Sequence, residues 1–218
     1  MNQPTAQQQT TPACGQPSEA FETPYVNRLL SLLRWKTIPY AGSGVRRPDG
    51  GANYGFTNLK RHPRLLDTIP EMARDPALKS LVLTINCERS GLFSAACLSC
   101  PLRDPQGRRY SGYVEFAINT DAEAAEAVSY FSMFCAFSRF LNDRSFAQRV
   151  TYQWEISPAR FADFGADGFT ATVRIDTDHF ATAREALRCW QASLQALEQF
   201  LGSIPKPVGN TIYSTERR

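Results

Sequence analysis

Two cysteines at a three-residue spacing, Cys97 and Cys100, are the residues whose arrangement could support redox or metal chemistry. In a redox-active pair the first thiol lies at a helix N-terminus, where the helix dipole lowers its pKa. The residues around Cys97 indicate a strand instead, and positions three apart on a strand point to opposite faces. A zinc site needs further ligands, and the other cysteines are dispersed: Cys14, Cys87, Cys135 and Cys189. We therefore predict buried structural thiols, with no metal and no cofactor.

The two histidines, His62 and His179, are the other candidates for catalysis. His62 lies in a basic stretch, where an exposed loop position is the simplest expectation. His179 follows a Thr-Asp pair that predicts a helix start, and the positive end of a helix dipole disfavours a protonated imidazole. No spacing pairs either histidine with a nucleophile. We predict that the protein is not an enzyme; the enzyme alternative would depend on Cys97, Cys100, His62 and His179.

A basic segment between residues 28 and 64 gives the clearest indication of binding. It holds eight Lys or Arg residues and a single acid, Asp49, with aromatic residues interleaved. Guanidinium groups make bidentate contacts with carboxylates and phosphates, and aromatic rings stack on unpaired bases. Three interpretations stay open: a solvated loop anchored by its aromatics, a contact with an acidic protein, or a contact with nucleic acid. The predicted binding residues are Arg46, Arg47, Tyr54, Phe56, Lys60, Arg61 and Arg64.

Composition and the chain termini bound the domain organisation. A length of 218 residues with 43% hydrophobic content suits one substantial domain. The net charge of +3 neither demands nor excludes a polyanionic partner, and the glycines match no phosphate-binding loop pattern. We predict a disordered tail over 1–22, a single α+β domain over 23–204 with a basic Gly-rich loop at 39–57, and a tail over 205–218.

The N-terminal residues also bear on localisation. Residues 1–22 have no basic start and no apolar stretch, so they do not have the pattern of a signal peptide. No run of residues is apolar enough, over a sufficient length, to cross a bilayer. Without a secretory signal, six cysteines are expected to be reduced thiols. The sequence therefore predicts a cytoplasmic protein without membrane contact.

A strand–helix pattern occurs twice, over residues 112–141 and 168–201. Each copy begins with Gly and an aromatic residue, continues through alternating apolar positions, and then has a Thr-Asp pair followed by a long helical pattern. Asp121 and Asp178 occupy equivalent points of the two copies. Thr and Asp at a helix start accept hydrogen bonds from free N–H groups, so we expect capping rather than a pair of catalytic carboxylates.

The predicted order of elements is a helix, a long loop, a second helix, three strands, a helix, two strands and a helix. The first helix would begin near Thr23-Pro24 and carry Val26, Leu29, Leu30 and Leu33 on one face. The following elements are predicted at residues 63–73, 81–85, 92–100, 113–118, 124–141, 150–156, 169–175 and 178–201. The fold class is α+β, with a single antiparallel sheet of about five strands, a meander and then a hairpin. This order resembles, in topology alone, that of type III secretion chaperones over about residues 25–202.

Function is therefore predicted from two surface features. The helix at 124–141 is apolar over more than one stripe, which is typical of a helix buried on two sides or facing a partner. The segment at 39–64 contributes basic side chains for an electrostatic contact. We expect a protein-binding module of the chaperone, immunity or assembly-adaptor type, with homodimerisation through 124–141 as one use of that helix. The alternative is a nucleic-acid-binding subunit that contacts phosphates through the basic segment.

Overall fold

A computed structural model describes residues 25–31, 35–45, 53–144, 146, 149–206 and 208–214. Within these ranges the chain forms six strands: β1 (Tyr25–Ser31), β2 (Lys36–Ile38), β3 (Leu92–Asp104), β4 (Gly107–Ile118), β5 (Val150–Phe161) and β6 (Ala166–Thr177). The α-helices of the same ranges are α1 (Pro70–Arg74), α2 (Pro76–Asn86), α3 (Asp121–Ala124), α4 (Ala127–Asn142) and α5 (Ala183–Gly202). Short 3₁₀ helices cover Pro63–Thr68 and Ala162–Phe164. The predicted N-terminal tail, 1–22, lies outside the described residues.

All six strands belong to one mixed sheet with the order β1-β5-β6-β4-β3, and β2 also pairs with β5. The pairs β3–β4, β4–β6 and β5–β6 are antiparallel. Both β1 and β2 run parallel to β5, one after the other along the same edge. The α+β class and the single sheet are confirmed. The predicted antiparallel arrangement of about five strands is partly wrong, because the sheet has six strands and β1 and β2 run parallel to β5.

The predicted first helix is wrong, because residues 25–31 form strand β1. Helical spacing of Leu and Val there is overridden by pairing with the edge of β5, from Tyr25 opposite Val150 to Ser31 opposite Ile156. Polar side chains attach the strand to α4: Asn27 Nδ2 donates to Ser138 Oγ at 2.7 Å, and the Tyr25 hydroxyl donates to the Asn142 side chain. The chain therefore begins its described fold in the sheet.

The strand predicted at 81–85 is helix α2. Asp75 caps it by accepting a hydrogen bond from the Leu78 N–H at 3.1 Å, and Pro76 occupies the first turn. The buried residues follow helical spacing: Leu78, Leu81, Val82 and Ile85. The apolar residues at 81, 83 and 85 are too short a pattern to distinguish a strand from a helix. The N-terminal cap at Asp75 indicates the helix. The element order therefore differs from that of type III secretion chaperones at two points. Strand β1 stands in place of the first helix, and α2 stands in place of the first strand of the meander, so that β3 and β4 form a hairpin.

One face of the sheet carries the larger core. The alternation predicted for β5 is confirmed, since Val150, Tyr152, Trp154 and Ile156 all point into this core. Helices α2, α4 and α5 cover it, and Phe137 of α4 contacts the Tyr152 ring at 5.0 Å between centroids. Each of these buried aromatic side chains removes a large apolar area from water.

The opposite face carries a smaller second core at one end. Phe93, Phe161 and Tyr213 form its aromatic centre, with the Phe93 and Tyr213 rings 4.8 Å apart between centroids. Asn119 fixes the C-terminal segment there, because its side chain donates to the Tyr213 carbonyl and accepts from the Tyr213 N–H, both at 2.7 Å. Part of the predicted 205–218 tail is therefore packed on the sheet.

The two copies of the repeated pattern share their strands but not their helix starts. After the first strand, α3 follows directly and is separated from α4 by residues 125–126. After the second, Thr177 and Asp178 start no helix; α5 begins five residues later, in a capping box of Thr182 and Glu185. Capping by Asp178 is therefore a wrong prediction. At α3 the N-cap residue Thr120 makes no side-chain capping hydrogen bond, and Asp121 accepts from the adjacent Ala122 N–H at 2.8 Å.

Candidate functional site

A cavity of about 570 Å³ opens on the sheet face opposite helices α2, α4 and α5, next to the second core. Strands β3 to β6 form its floor, and the segments around β2 and residues 53–57 form its walls. Its lining mixes aromatic, charged and hydroxyl side chains, and the residues used below are Trp35, Lys36, Tyr40, Tyr54, Glu71, Glu115, Glu155 and Thr172.

Two carboxylates lie in one row across the floor. In the register of the sheet, Glu155 of β5 is opposite Thr172 of β6, and Thr172 is opposite Glu115 of β4. Neighbouring strands are about 4.8 Å apart, so the two glutamates lie about 10 Å apart at their backbones, on either side of the Thr172 side chain. Sheet register therefore places both carboxylates in the same cavity.

Glu115 is the more deeply buried of the two, with 6% of its side chain exposed. Its partner is the Lys36 ammonium, which β2 brings to the cavity by pairing with the end of β5. Tyr40 lies beside the pair and donates its hydroxyl to the Ala95 carbonyl at 3.1 Å. Burial, and then the Glu115 charge, raise the pKa of Tyr40. Tyr40 is therefore a neutral donor fixed in the cavity wall.

Glu155 retains 18% side-chain exposure and has looser partners. Gln153 donates to its Oε1 at 2.9 Å, while Arg174 Nε lies 3.8 Å from the same oxygen. The Arg174 guanidinium stands 5.8 Å from the centroid of the Tyr113 ring. A second row of polar groups, Gln153, Arg174 and Tyr113, thus runs beside the glutamate row.

A third carboxylate reaches the cavity from α1. Glu71 has 5% of its side chain exposed and lies 3.8 Å from Arg74 Nη2. That separation is longer than the 2.7–3.2 Å of an N–H···O hydrogen bond, so the contact is an ion pair only. Among the described lining residues, three carboxylates therefore face a single cationic side chain, Lys36.

Two large aromatic side chains stand exposed among the cavity residues: Trp35 at 61% and Tyr54 at 60%. The position of Tyr54 depends on a close crossing of two chain segments. A Cβ at Gly55, where φ is +85°, would lie 2.5 Å from the Gly42 nitrogen. The Phe56 N–H donates to the Tyr40 carbonyl at 2.9 Å and holds the crossing. Glycine is required here for both reasons.

The predicted binding residues do not gather on one surface. Arg46 and Arg47 lie outside the described residues. Tyr54 lines the cavity, whereas the Phe56 ring packs on the second core, 5.9 Å from the Tyr213 ring centroid. Arg61 and Arg64 are exposed. Stacking of Phe56 on a base would require this packing to open.

Lys60 differs most from its predicted role. It is 3% exposed, and its ammonium donates to the carbonyls of Cys87, Ser90 and Leu92 at 2.7, 2.7 and 3.0 Å. Burial lowers the pKa of Lys60 to about 8. All three ammonium hydrogens are used inside the protein, so Lys60 ties residues 87–92 to the preceding loop and presents no charge to a phosphate.

The thiols and imidazoles that the sequence singled out have identifiable surroundings in the described part of the chain. Cys97 packs on the larger core, and burial, with the nearby Glu71 and Asp75 charges, raises the pKa of Cys97 to about 12. Cys97 is paired with Val114 and Cys100 with Ser111, so the two thiols point to opposite faces, as predicted. His179 Nε2 lies 2.9 Å from Asp104 Oδ2. No group of three or more His, Cys, Asp or Glu residues in the described ranges is arranged to hold a metal ion.

The remaining cysteines correct the prediction of buried thiols, because Cys87 and Cys135 are exposed. Helix α4, which carries Cys135, buries Tyr130, Met133, Phe137 and Leu141. Its outer side still shows Val128 at 62% and Phe131 at 36% exposure. The apolar character predicted for residues 124–141 thus extends to the outer surface, and homodimerisation through it stays a prediction.

Sequence reasoning missed Lys36, Glu71, Glu115 and Glu155 as site residues. A signal was present for two of them, since Glu115 and Glu155 occupy polar positions of the alternating strands. Such positions predict one shared face once the strands are neighbours. The neighbour order itself depends on long-range pairing.

No helix in the described ranges has both the length and the apolar character needed to cross a membrane. Comparisons of this chain with protein-family models, with curated proteins and with solved structures found no match.

Proposed function

We propose that this chain is a non-enzymatic protein-binding module and that the sheet-face cavity receives a segment of its partner. The exposed rings of Trp35 and Tyr54 among the cavity residues carry this proposal. Tryptophan and tyrosine dominate the energetics of protein interfaces when they enter a pocket on the partner or close over one. The concave cavity can enclose a partner segment, and the exposed rings provide contact area for it.

The floor favours binding over proton transfer. The Glu115 carboxylate is paired with Lys36, and the Glu155 carboxylate accepts from Gln153. Tyr40 is held neutral and donates to a backbone carbonyl. Groups fixed in this way are suited to orient a ligand, since a binding site gains from side chains that do not rearrange.

Nucleic acid is the less supported partner. Carboxylates on the cavity floor repel phosphates, Lys60 is occupied internally, and Phe56 is packed in the second core. The exposed Arg61 and Arg64 remain available to an anionic partner. Contact with nucleic acid through residues 28–64 stays a prediction of the sequence.

The test uses a photo-crosslinking amino acid at position 35 or 54 in the native host, with position 83 as the control. Leu83 is 47% exposed on α2, which packs on the helix-covered side of the sheet. A partner captured from the cavity positions and not from position 83 is identified, purified and titrated against wild type and variants.

We expect Trp35→Ala with Tyr54→Ala to raise the dissociation constant about 10- to 100-fold, as loss of interface aromatics does. Leu83→Ala should leave it unchanged. Equal affinity of the aromatic double variant and wild type would remove the cavity as the binding site.

A further inference from the structure

Carboxylates outnumber cations among the residues that line the cavity, although each carboxylate has a cation at ion-pair distance. Glu71, Glu115 and Glu155 contribute three carboxylates, and Lys36 contributes the one lining cation within the described residues. Arg74 and Arg174 offset the imbalance from outside the lining, each with a nitrogen 3.8 Å from a carboxylate oxygen. These separations exceed hydrogen-bond distance, so the two arginines neutralise charge without using the acceptor positions of the carboxylates.

The carboxylates also keep capacity for new donors. A carboxylate offers about four acceptor positions. The described contacts of Glu155 are the Gln153 amide and the Arg174 ion pair, so acceptor positions on its oxygens are open. Glu155 is moreover the most exposed of the three, which makes it the carboxylate that an incoming group reaches first.

The aromatic side chains of the cavity suit the same kind of ligand. A guanidinium or ammonium group is attracted to the face of an indole or phenol ring. Within the cavity Trp35 and Tyr54 lie exposed, and Tyr113 already faces the Arg174 guanidinium at 5.8 Å. Rings that stack on cations and carboxylates that pair with them converge on one site.

From the open acceptor positions of Glu155 and the exposed rings of the same cavity we infer that the cavity binds an arginine side chain from an extended segment of the partner protein. Its guanidinium pairs with Glu155, and its aliphatic stem lies against the exposed aromatic rings. Arginine fits better than lysine, because its planar fork bonds a carboxylate through two N–H groups and stacks on rings. This inference rests on the proposed function and adds the chemistry of the partner, a basic segment in place of an acidic surface.

The first step of the test is selection of random heptapeptides, displayed on phage, against the full chain. We expect enriched sequences to share an arginine. The strongest of these peptides is then synthesised with arginine and with citrulline, which has the same shape without the charge, and its affinity is measured by fluorescence polarisation.

The arginine peptide should bind at least about tenfold more tightly than its citrulline counterpart, the size expected for a charge-assisted hydrogen bond. Glu155→Gln should bring the ratio below about threefold. Asp67→Asn, which neutralises an exposed carboxylate ion-paired with Lys79 elsewhere on the surface, should leave it unchanged. If Glu155→Gln does not fold, the comparison of the arginine and citrulline peptides on wild type still decides the inference.

Three outcomes would overturn the inference: no enriched peptide, enrichment without arginine, or equal binding of the arginine and citrulline peptides. Agmatine, an arginine-like amine, is the small-molecule control, and binding as tight as that of the peptide would show that no protein segment is needed. Suppose that these tests fail while the crosslinked partner still binds the Trp35→Ala, Tyr54→Ala variant more weakly than wild type. In that case the proposed binding function is retained, and only the arginine ligand is rejected. If the partner is indifferent to both rings, the proposed function itself fails.

Discussion

The two faces of the one sheet have opposite character. On the helix-covered face, Trp154, Trp190 and Phe137 are fully buried, and the Phe137 and Trp154 rings lie 5.8 Å apart between centroids. On the other face, a small core occupies one end, and beside it the floor is charged, with Glu115 and Glu155 in one row. A folded sheet needs only one well-covered face for stability, which leaves the second free to carry polar groups. The larger core and the proposed binding site thus lie on opposite sides of the same strands.

The largest effect is expected from Trp190→Ala on the helix-covered face. Trp190 stacks on Tyr110 at 5.6 Å, and its indole N–H donates to Asp75 Oδ2 at 2.6 Å. Its removal leaves a cavity and one donor fewer for a buried carboxylate, so the free energy of unfolding should fall by about 3–5 kcal/mol. Urea denaturation measures the loss. Trp35→Ala, at an exposed indole, is the control and should stay within about 0.5 kcal/mol of wild type; similar losses in both variants would contradict the division between faces.

The glycines that open the two repeats provide a matched pair, one on each face. A Cβ at Gly112 would lie 2.3 Å from the Leu98 carbonyl oxygen and 2.6 Å from the Trp190 ring. At Gly168 it would lie 2.6 Å from the Ala124 carbonyl oxygen, under α3. Alanine at either position should lower the free energy of unfolding by about 1–3 kcal/mol, because backbone atoms must shift.

The control for this pair is Gly202→Ala at the end of α5. A Cβ there would meet only the Thr84 methyl group, at 3.0 Å, and helix propensity favours alanine over glycine. We expect little change or a small gain in the midpoint of thermal unfolding. If Gly168→Ala lowers stability no more than Gly202→Ala does, α3 is not in close contact with the sheet at Gly168. The second core is then less tightly packed than the distances indicate.

Lys60 predicts a pH dependence of stability. Its pKa is about 8 in the folded protein and 10.5 in the unfolded chain, so between these values the unfolded chain binds more protons. The free energy of unfolding contributed by Lys60 therefore rises with pH in that window, by about 1.4 kcal/mol for each pH unit. Denaturation at pH 7.5 and 9.5 should show wild type gaining about 2 kcal/mol relative to Lys60→Met. Lys79→Met, at an exposed lysine, should follow wild type; a Lys60→Met curve parallel to wild type would show that the ammonium keeps its ordinary pKa.

The fold was predictable where local pattern and long-range pairing agree. Alternation over 150–156 is unambiguous and places β5 correctly. At residues 25–31 the spacing of Leu29 and Leu30 suits a helix, and the outcome depends on the open edge of β5, more than a hundred residues away in sequence. At 81–85, a short alternation is compatible with both elements, and the Asp75 cap gives the helix.

The candidate site was less predictable because its key contact is distant in sequence. Lys36 and Glu115 are 79 residues apart and meet only because β2 pairs in parallel with the end of β5. The basic segment indicated binding from composition, yet the fold uses Lys60 and Phe56 internally and keeps Tyr54 at the cavity. Composition predicts a binding segment, whereas the fold decides which of its residues are exposed.

The smallest stability effect is expected from the charge pair on the open face, Lys36 and Glu115. Lys36→Met leaves the Glu115 carboxylate buried and without its partner, which is costly for a buried ion. The Lys36 side chain is 30% exposed, and solvent there moderates the loss, so we expect a decrease of about 1 kcal/mol in the free energy of unfolding. The double variant Lys36→Met with Glu115→Gln removes both charges and should recover most of it. If the double variant is as unstable as the single one, the stability lost comes from side-chain packing rather than from the charges of the pair. If it recovers stability but loses the partner, the pair is retained for binding, as the division between the two faces requires.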